Sequence, residues 1–257
     1  MPGDLGVLPG VLVEKILLLL DLEALLAAAS TCKGFCSLLI GRGGECLRLD
    51  EAKTKASKLF SEPFNLSKRD LLRSTRLDRS YMQLGAKGAS VLAQALLVGA
   101  LPKLEELSLA GNQIGDEGCK ALAEHLPTSL KGLHLMRNQI GDEGCTALAE
   151  HLPTSLKELY LGLNQMGDEG CKALAEHLPT SMKGLYLSSN QIGYEGCKTL
   201  AEHLPTSLEQ LWLSNTQIGY GGCKALAEHL PTSMKVLHLA GNQIGDEGCK
   251  ALAEHLP

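Results

Sequence analysis

Six nearly identical blocks of 26 residues begin at Leu104, Leu130, Leu156, Met182, Leu208 and Met234, each close to LxxLxLxxNQIGDEGCKALAEHLPTS. Self-similarity at this period restricts the chain to a stacked array. One block is too small to bury its own apolar residues and must lean on copies of itself. With 44% hydrophobic residues among 257 and a formal charge of -5, the composition is that of a folded chain rather than a disordered one.

In the first block Leu107 and Leu109 stand two apart, as on one face of a strand, and leave Glu106, Ser108 and Ala110 on the other. Cys119, Leu122, Ala123 and Leu126 then fall at i, i+3, i+4 and i+7, which predicts a helix with Asp116 as its N-cap and Pro127 at its end. Asn112, Asn138, Asn164, Asn190 and Asn242 recur at the turn, where a buried amide can serve the turn backbone of adjacent coils. Thr216 interrupts that series and should weaken the stack locally. An α/β solenoid follows, with parallel strands on the concave side and helices outside. A degenerate block precedes the six: Leu77, Leu84, Gly85, Gly88, Leu92 and Leu96 keep the pattern, while Met82 takes the asparagine position.

LxxLxLxxNxIG followed by GCxxLAxxL, kept in all six blocks apart from Met182 and Met234 at the first position, Met166 for Ile and Thr216 for Asn, resembles the leucine-rich repeat family, specifically its ribonuclease-inhibitor-like and cysteine-containing subtypes. The resemblance implies the same solenoid and is almost silent on the ligand.

Two further series look like chemistry. Cys119, Cys145, Cys171, Cys197, Cys223 and Cys249 recur once per block on the helical side, where helices about 8–10 Å apart exceed the ~7 Å reach of a disulfide. They are expected to be small buried apolar residues. His125, His151, His177, His203, His229 and His255 belong to the exposed last helical turn and do not converge as zinc requires. Phosphate-binding glycine loops, HExxH and GxSxG are all lacking from the sequence. The expectation is a non-enzyme with no catalytic residue, no metal and no cofactor.

Against this constant background the fifth position of successive blocks reads Ser108, His134, Tyr160, Tyr186, Trp212, His238. Parallel strands lie about 4.8 Å apart, so Tyr160, Tyr186 and Trp212 should stand side by side on the concave face, flanked by His134 and His238. Tyr194 and Tyr220 replace the capping Asp, at a cost of ~1 kcal/mol each, and are expected in rim loops beside the stripe together with Gln210. Tyr and Trp dominate protein interfaces, so this cluster is the candidate protein-binding site. From Leu104 to Pro257 there are 10 Lys/Arg against 19 Asp/Glu, net -9, which disfavours nucleic acid and suits a basic protein partner.

Residues Val11–Leu20, Leu22–Ala29 and Thr31–Leu39 read as three short helices without strand alternation. Leu8-Pro9, Ile16-Leu17, Leu20-Asp21, Leu25-Leu26, Cys32-Lys33 and Phe35 resemble an F-box, with departures at Val11 and Thr31. The resemblance implies the substrate receptor of a Skp, cullin and F-box ubiquitin ligase, docking its Skp-type adaptor through Leu8, Pro9, Ile16, Leu17, Leu20 and Leu25. The alternatives are a leucine-rich-repeat scaffold or inhibitor with no ubiquitin role, and a bacterial effector that mimics host F-box proteins. The expected organisation is an F-box-like module over 1–45, a helical linker, cap and degenerate repeat over 46–103, and the six repeats over 104–257. Charges at Glu14, Lys15, Asp21 and Glu23 break the apolar N-terminal run, so neither a membrane span nor a signal peptide is expected, and the compartment expected is the cytoplasm or the nucleus. Val236, Leu237 and Leu239 in the last block have one open side, which suggests end-to-end self-association.

Overall fold

The computed structural model describes residues 73–97 and 101–255. The F-box-like module, with Leu8, Pro9, Ile16, Leu17, Leu20 and Leu25, lies outside the described residues. So does the linker up to residue 72.

Residues 74–93 and 103–255 belong to one unit. Seven strands, β1 Arg76–Asp78, β2 Glu106–Ser108, β3 Gly132–His134, β4 Glu158–Tyr160, β5 Gly184–Tyr186, β6 Gln210–Trp212 and β7 Val236–His238, form one parallel sheet in chain order. Seven helices alternate with them: α1 Gly85–Leu97, α2 Gly115–Ala123, α3 Asp142–Ala149, α4 Asp168–Glu176, α5 Tyr194–Glu202, α6 Gly219–His229 and α7 Gly245–His255. The degenerate block is thus a seventh coil, with β1 paired to β2 at Leu77 and Leu107. Helices need about 8–10 Å of spacing and strands about 4.8 Å, so the stack curves with its strands inside.

The register aligns equivalent residues in every coil, so Leu107, Leu133, Leu159, Leu185 and Leu211 form one buried row. Leu109, Ile114, Cys119 and Leu122 and their counterparts supply the rest of each layer. Full burial of a leucine contributes roughly 1.5–3 kcal/mol, and each layer is complete only when the next coil covers it. In the last coil Leu237 and Leu239 are only half-buried and Cys249 is exposed.

The asparagines form the ladder. The side-chain oxygen of Asn138 accepts the backbone N–H groups of Asn112 at 2.9 Å and Ile114 at 3.4 Å, while its amide nitrogen donates to Leu109 O at 2.9 Å and Met136 O at 3.1 Å. One buried amide thereby serves four groups in two coils. At Thr216 the hydroxyl is committed to Leu213 O at 2.8 Å and Asn242 Oδ1 at 2.6 Å, in its own turn and the coil after it.

The helix starts differ from the expected pattern. Asp116 does not cap its own helix; its Oδ1 accepts the N–H groups of Gly141 at 2.7 Å and Gly144 at 3.0 Å, at the start of α3. Asp142 and Asp168 do the same for α4 and α5. In α3 and α4 the N-cap is Gly141 or Gly167 and the aspartate is the first helical residue, too late to reach back to its own N-terminus. Its side chain points across to the next coil instead.

This geometry fixes the glycine. Gly141, Gly167 and Gly193, each bonded to an aspartate of the coil before, are extended, with φ of -98°, -96° and -95°. Where the preceding coil offers Ala86, Tyr194 or Tyr220 instead, the glycine turns left-handed: Gly115 at +63°, Gly219 at +59° and Gly245 at +67°. The N–H groups of Gly115 and Gly219 then donate to Asn138 O at 2.8 Å and Asn242 O at 3.1 Å. The cap lost at Tyr194 and Tyr220 is therefore lost by α6 and α7, one coil beyond the substitution.

Candidate protein-binding face

In each strand the middle residue points into the leucine core and its neighbours point out onto the concave face. Parallel register then sets the third residues against one another: His134 beside Tyr160, Tyr160 beside Tyr186, Tyr186 beside Trp212 and Trp212 beside His238. Their rings form one column. His134 and Tyr160 stack at 4.1 Å between centroids, Tyr160 and Tyr186 at 4.0 Å, and Trp212 and His238 at 3.7 Å. These spacings are below the ~4.8 Å between strands, because side chains on a concave surface converge.

Stacking covers ring faces and leaves ring edges toward solvent, except at one place. Tyr186 and Trp212 are 5.9 Å apart and tilted by 41°, which opens a wedge in the column. Two hydroxyls are fixed beside it, with Tyr160 donating to Glu158 Oε2 and Tyr186 to Gln210 Oε1, each at 3.1 Å. A Cβ built on Gly184 would stand 2.8 Å from the Tyr186 ring, so the missing side chain in β5 is what lets the ring lie over the strand. The buried Trp212 Nε1 has no hydrogen-bond partner. Burial lowers the His134 pKa, opposed by Glu158 and Glu106, and burial with the bonds to Tyr186 and Glu158 raises that of Tyr160.

Gln210 takes its place at the column. Tyr194 and Tyr220 do not. Both lie in the first turn of a helix rather than in rim loops, 44% and 47% exposed, and the Tyr194 ring lies against Gly221 of the next coil. No ring contact links either to the column among the described residues. Sequence spacing joined two features that the fold separates.

A groove of about 330 Å³ adjoins the wedge, lined by Tyr160, Tyr186 and Trp212 and by Met136, Gly162 and Leu163 from the turns after the strands. The turn residues carry no periodic signal. Leu163 could have been noticed, since the equivalent positions hold Gly111, Arg137, Ser189, Asn215 and Gly241.

The cysteines belong to the scaffold. Cys119 and Cys223 donate to Gly144 O and Gly248 O of the next coil at 3.4 Å, and burial pushes the thiols of Cys119 and Cys197 up to about 12. His151, His177, His203, His229 and His255 are exposed and donate Nδ1–H to the carbonyl four residues back, at 2.9–3.0 Å. Among the described residues no cluster of metal-ligating side chains occurs, and no helix is long and apolar enough to cross a membrane.

A parallel-stranded solenoid with a continuous aromatic inner face defines a repeat protein of the binding-scaffold class. The chain belongs to the leucine-rich repeat family, whose model matches residues 100–123, 127–149, 153–175, 179–201, 205–227 and 231–253. No curated protein matches it. Among solved structures it is similar to one described as the crystal structure of a TLR13-ssRNA13 complex, at 24% identity and a TM-score of 0.47 over 70% of this chain. It spans 24% of that chain's length.

Proposed function

We propose that the aromatic column is the capture surface for a protein substrate and that the chain is the substrate receptor of a Skp, cullin and F-box ubiquitin ligase, with no catalytic residue of its own. The column carries the first half of this reading. Four ring contacts across five coils give a rigid, preorganised interface of the residue types that supply most binding energy, at little entropic cost. Support for the second half is the F-box resemblance of the sequence, with Leu8, Pro9, Ile16, Leu17, Leu20 and Leu25 on the adaptor and the column on the substrate.

The purified chain mixed with a Skp-type adaptor tests it. Complex formation that is lost in Leu8→Asp supports the receptor role, and absence of a complex with the intact chain leaves a leucine-rich-repeat scaffold without a ubiquitin connection. The column is tested separately by proximity labelling in cells. Tyr186→Ala with Trp212→Ala should lose the substrate neighbours and keep the adaptor, and an unchanged set of neighbours would refute the column's role.

A further inference from the structure

We infer that the groove beside the Tyr186–Trp212 wedge takes one large apolar side chain from a basic segment of the protein partner. The inference rests on the reading of the concave face as a protein-binding surface and goes on to say what that surface selects.

The size of the groove is the first argument. At about 330 Å³ it lies at the bottom of the ~300–1,000 Å³ range of small-molecule sites, enough for one or two side chains. Its lining is apolar, and the absence of a side chain at Gly162 keeps it open, since a Cβ there would stand 3.0 Å from Ser188 O and 3.6 Å from Met136 Cε.

Leu163 is the second. Its φ is +57°, a left-handed conformation in which a bulky side chain is an outlier, yet it is 39% exposed and borders the groove. The same turn is left-handed in the other coils as well, where it holds Gly111, Arg137, Ser189, Asn215 and Gly241, so the conformation belongs to the repeat and the large apolar side chain is particular to Leu163. A leucine that is strained and also half in water contributes little to the fold. A large exposed apolar side chain where every other one of the six repeats carries glycine or a polar residue points to use at that position.

Charge decides the rest of the segment. The turn bearing Leu163 runs on into α4, and the helix starts that follow these turns carry exposed Glu143, Glu169 and Glu195, of which Glu169 is paired with Lys172 at 3.0 Å, against one exposed cation in the neighbouring turn, Arg137. On the face itself Glu106 and Glu158 flank Gly132 and act on His134, Glu106 lying 3.4 Å from Arg76 and Glu158 accepting the Tyr160 hydroxyl. Lys183 and Lys235, at the opposite ends of the strands, are both engaged by Glu209, at 3.0 and 2.7 Å. Carboxylates outnumber cations here as they do across the repeats, 19 Asp/Glu against 10 Lys/Arg from Leu104 to Pro257, so Lys or Arg flanking the anchor is the complementary choice. The open ring faces at the wedge favour the same cations.

Trp212 is the chain's single tryptophan and lines the groove, so its fluorescence reports occupancy directly. The full chain is titrated with a short synthetic peptide bearing a central Phe between Lys/Arg residues, with a matched peptide in which Ala replaces Phe, and with one in which Glu replaces Lys/Arg. The first should shift Trp212 emission, and the other two should bind at least about tenfold more weakly. Leu163→Asn should weaken the first peptide about tenfold while leaving the melting temperature equal or higher, because Asn tolerates the left-handed backbone that Leu does not. No emission change with any peptide overturns the inference, as does equal binding of the Ala or Glu peptide, or a Leu163→Asn chain that binds like the parent. Proximity labelling of the chain carrying Tyr186→Ala and Trp212→Ala separates the two levels: substrate neighbours lost there with no peptide effect in Leu163→Asn leave the column standing and the groove fallen, and unchanged neighbours sink both.

Discussion

The carboxylate of Asp142 caps a helix to which it does not belong: its Oδ1 accepts the N–H of Gly167 at 2.7 Å, one coil further on, and that of Gly170 at 2.9 Å. The bond crosses the interface between coils, so it contributes to stacking as well as to helix formation. Asp142→Ala should cost about 1 kcal/mol and release the Gly167 and Gly170 amides to hydrogen exchange, with α3 itself less affected. Tyr194→Asp should do the reverse, bringing a carboxylate to Gly219 and Gly222, drawing Gly219 out of its left-handed conformation and adding about 1 kcal/mol. Urea denaturation with amide exchange checks both, and equal protection of Gly167 in Asp142→Ala would contradict the cap.

Thr216 is the weak rung of the amide ladder. In the coil before it, Asn190 reaches back with Nδ2 to Leu161 O at 2.9 Å and accepts the Met166 N–H at 3.1 Å, whereas the Thr216 hydroxyl serves its own turn and Asn242. Thr216→Asn should restore that backward connection to Leu187 and Ile192 and stabilise the chain by about 1–2 kcal/mol. Asn138→Ala, which strips four buried partners at once, should destabilise it by about 3 kcal/mol or more. Denaturation midpoints measure both signs.

The array was legible in the sequence because its physics is periodic. Leu107 and Leu109 two apart, and Cys119, Leu122 and Ala123 at helical spacing, give the burial the coil needs. The column was legible for a related reason: parallel pairing in register places the same position of neighbouring blocks side by side, so Tyr160, Tyr186 and Trp212 could be set together from spacing alone. What could not be read depends on the direction a side chain takes between coils. Asp116 looks like a cap for the helix it begins, and only the stacked geometry turns it to Gly141. Tyr194 and Tyr220 are close to the column in block number and lie on different elements. The groove was illegible because the left-handed backbone at Leu163 leaves no mark in hydrophobic periodicity.

The buried thiols should be inert. Burial drives Cys119 and Cys197 up to about 12 and raises Cys145 and Cys171 as well, so at neutral pH the thiolate that reacts with alkylating agents is scarcely populated. Cys249 is exposed. Brief iodoacetamide treatment of the native chain, followed by peptide mapping, should mark Cys249 and spare Cys119, Cys145, Cys171 and Cys197 until denaturant is added. Rapid native labelling of any of those four would mean that the coils open on the timescale of the reaction.

Acid should loosen the column from its His134 end. Burial between the strand and Tyr160 lowers the His134 pKa below its ordinary 6.5, and the opposing pull of Glu158 and Glu106 does not overcome it. The folded state therefore binds a proton less readily than the unfolded chain does. The contribution of neutral His134 is complete above pH 6.5 and is lost as the pH falls below 6.5 through the folded value. His134→Gln removes this titration without adding a charge. The stability of the parent chain should consequently fall more steeply than that of His134→Gln as the pH drops below 6.5. Thermal unfolding at several pH values across this interval decides the matter. Parallel curves for the parent and His134→Gln would show that the ring is not held in its neutral form by the stack.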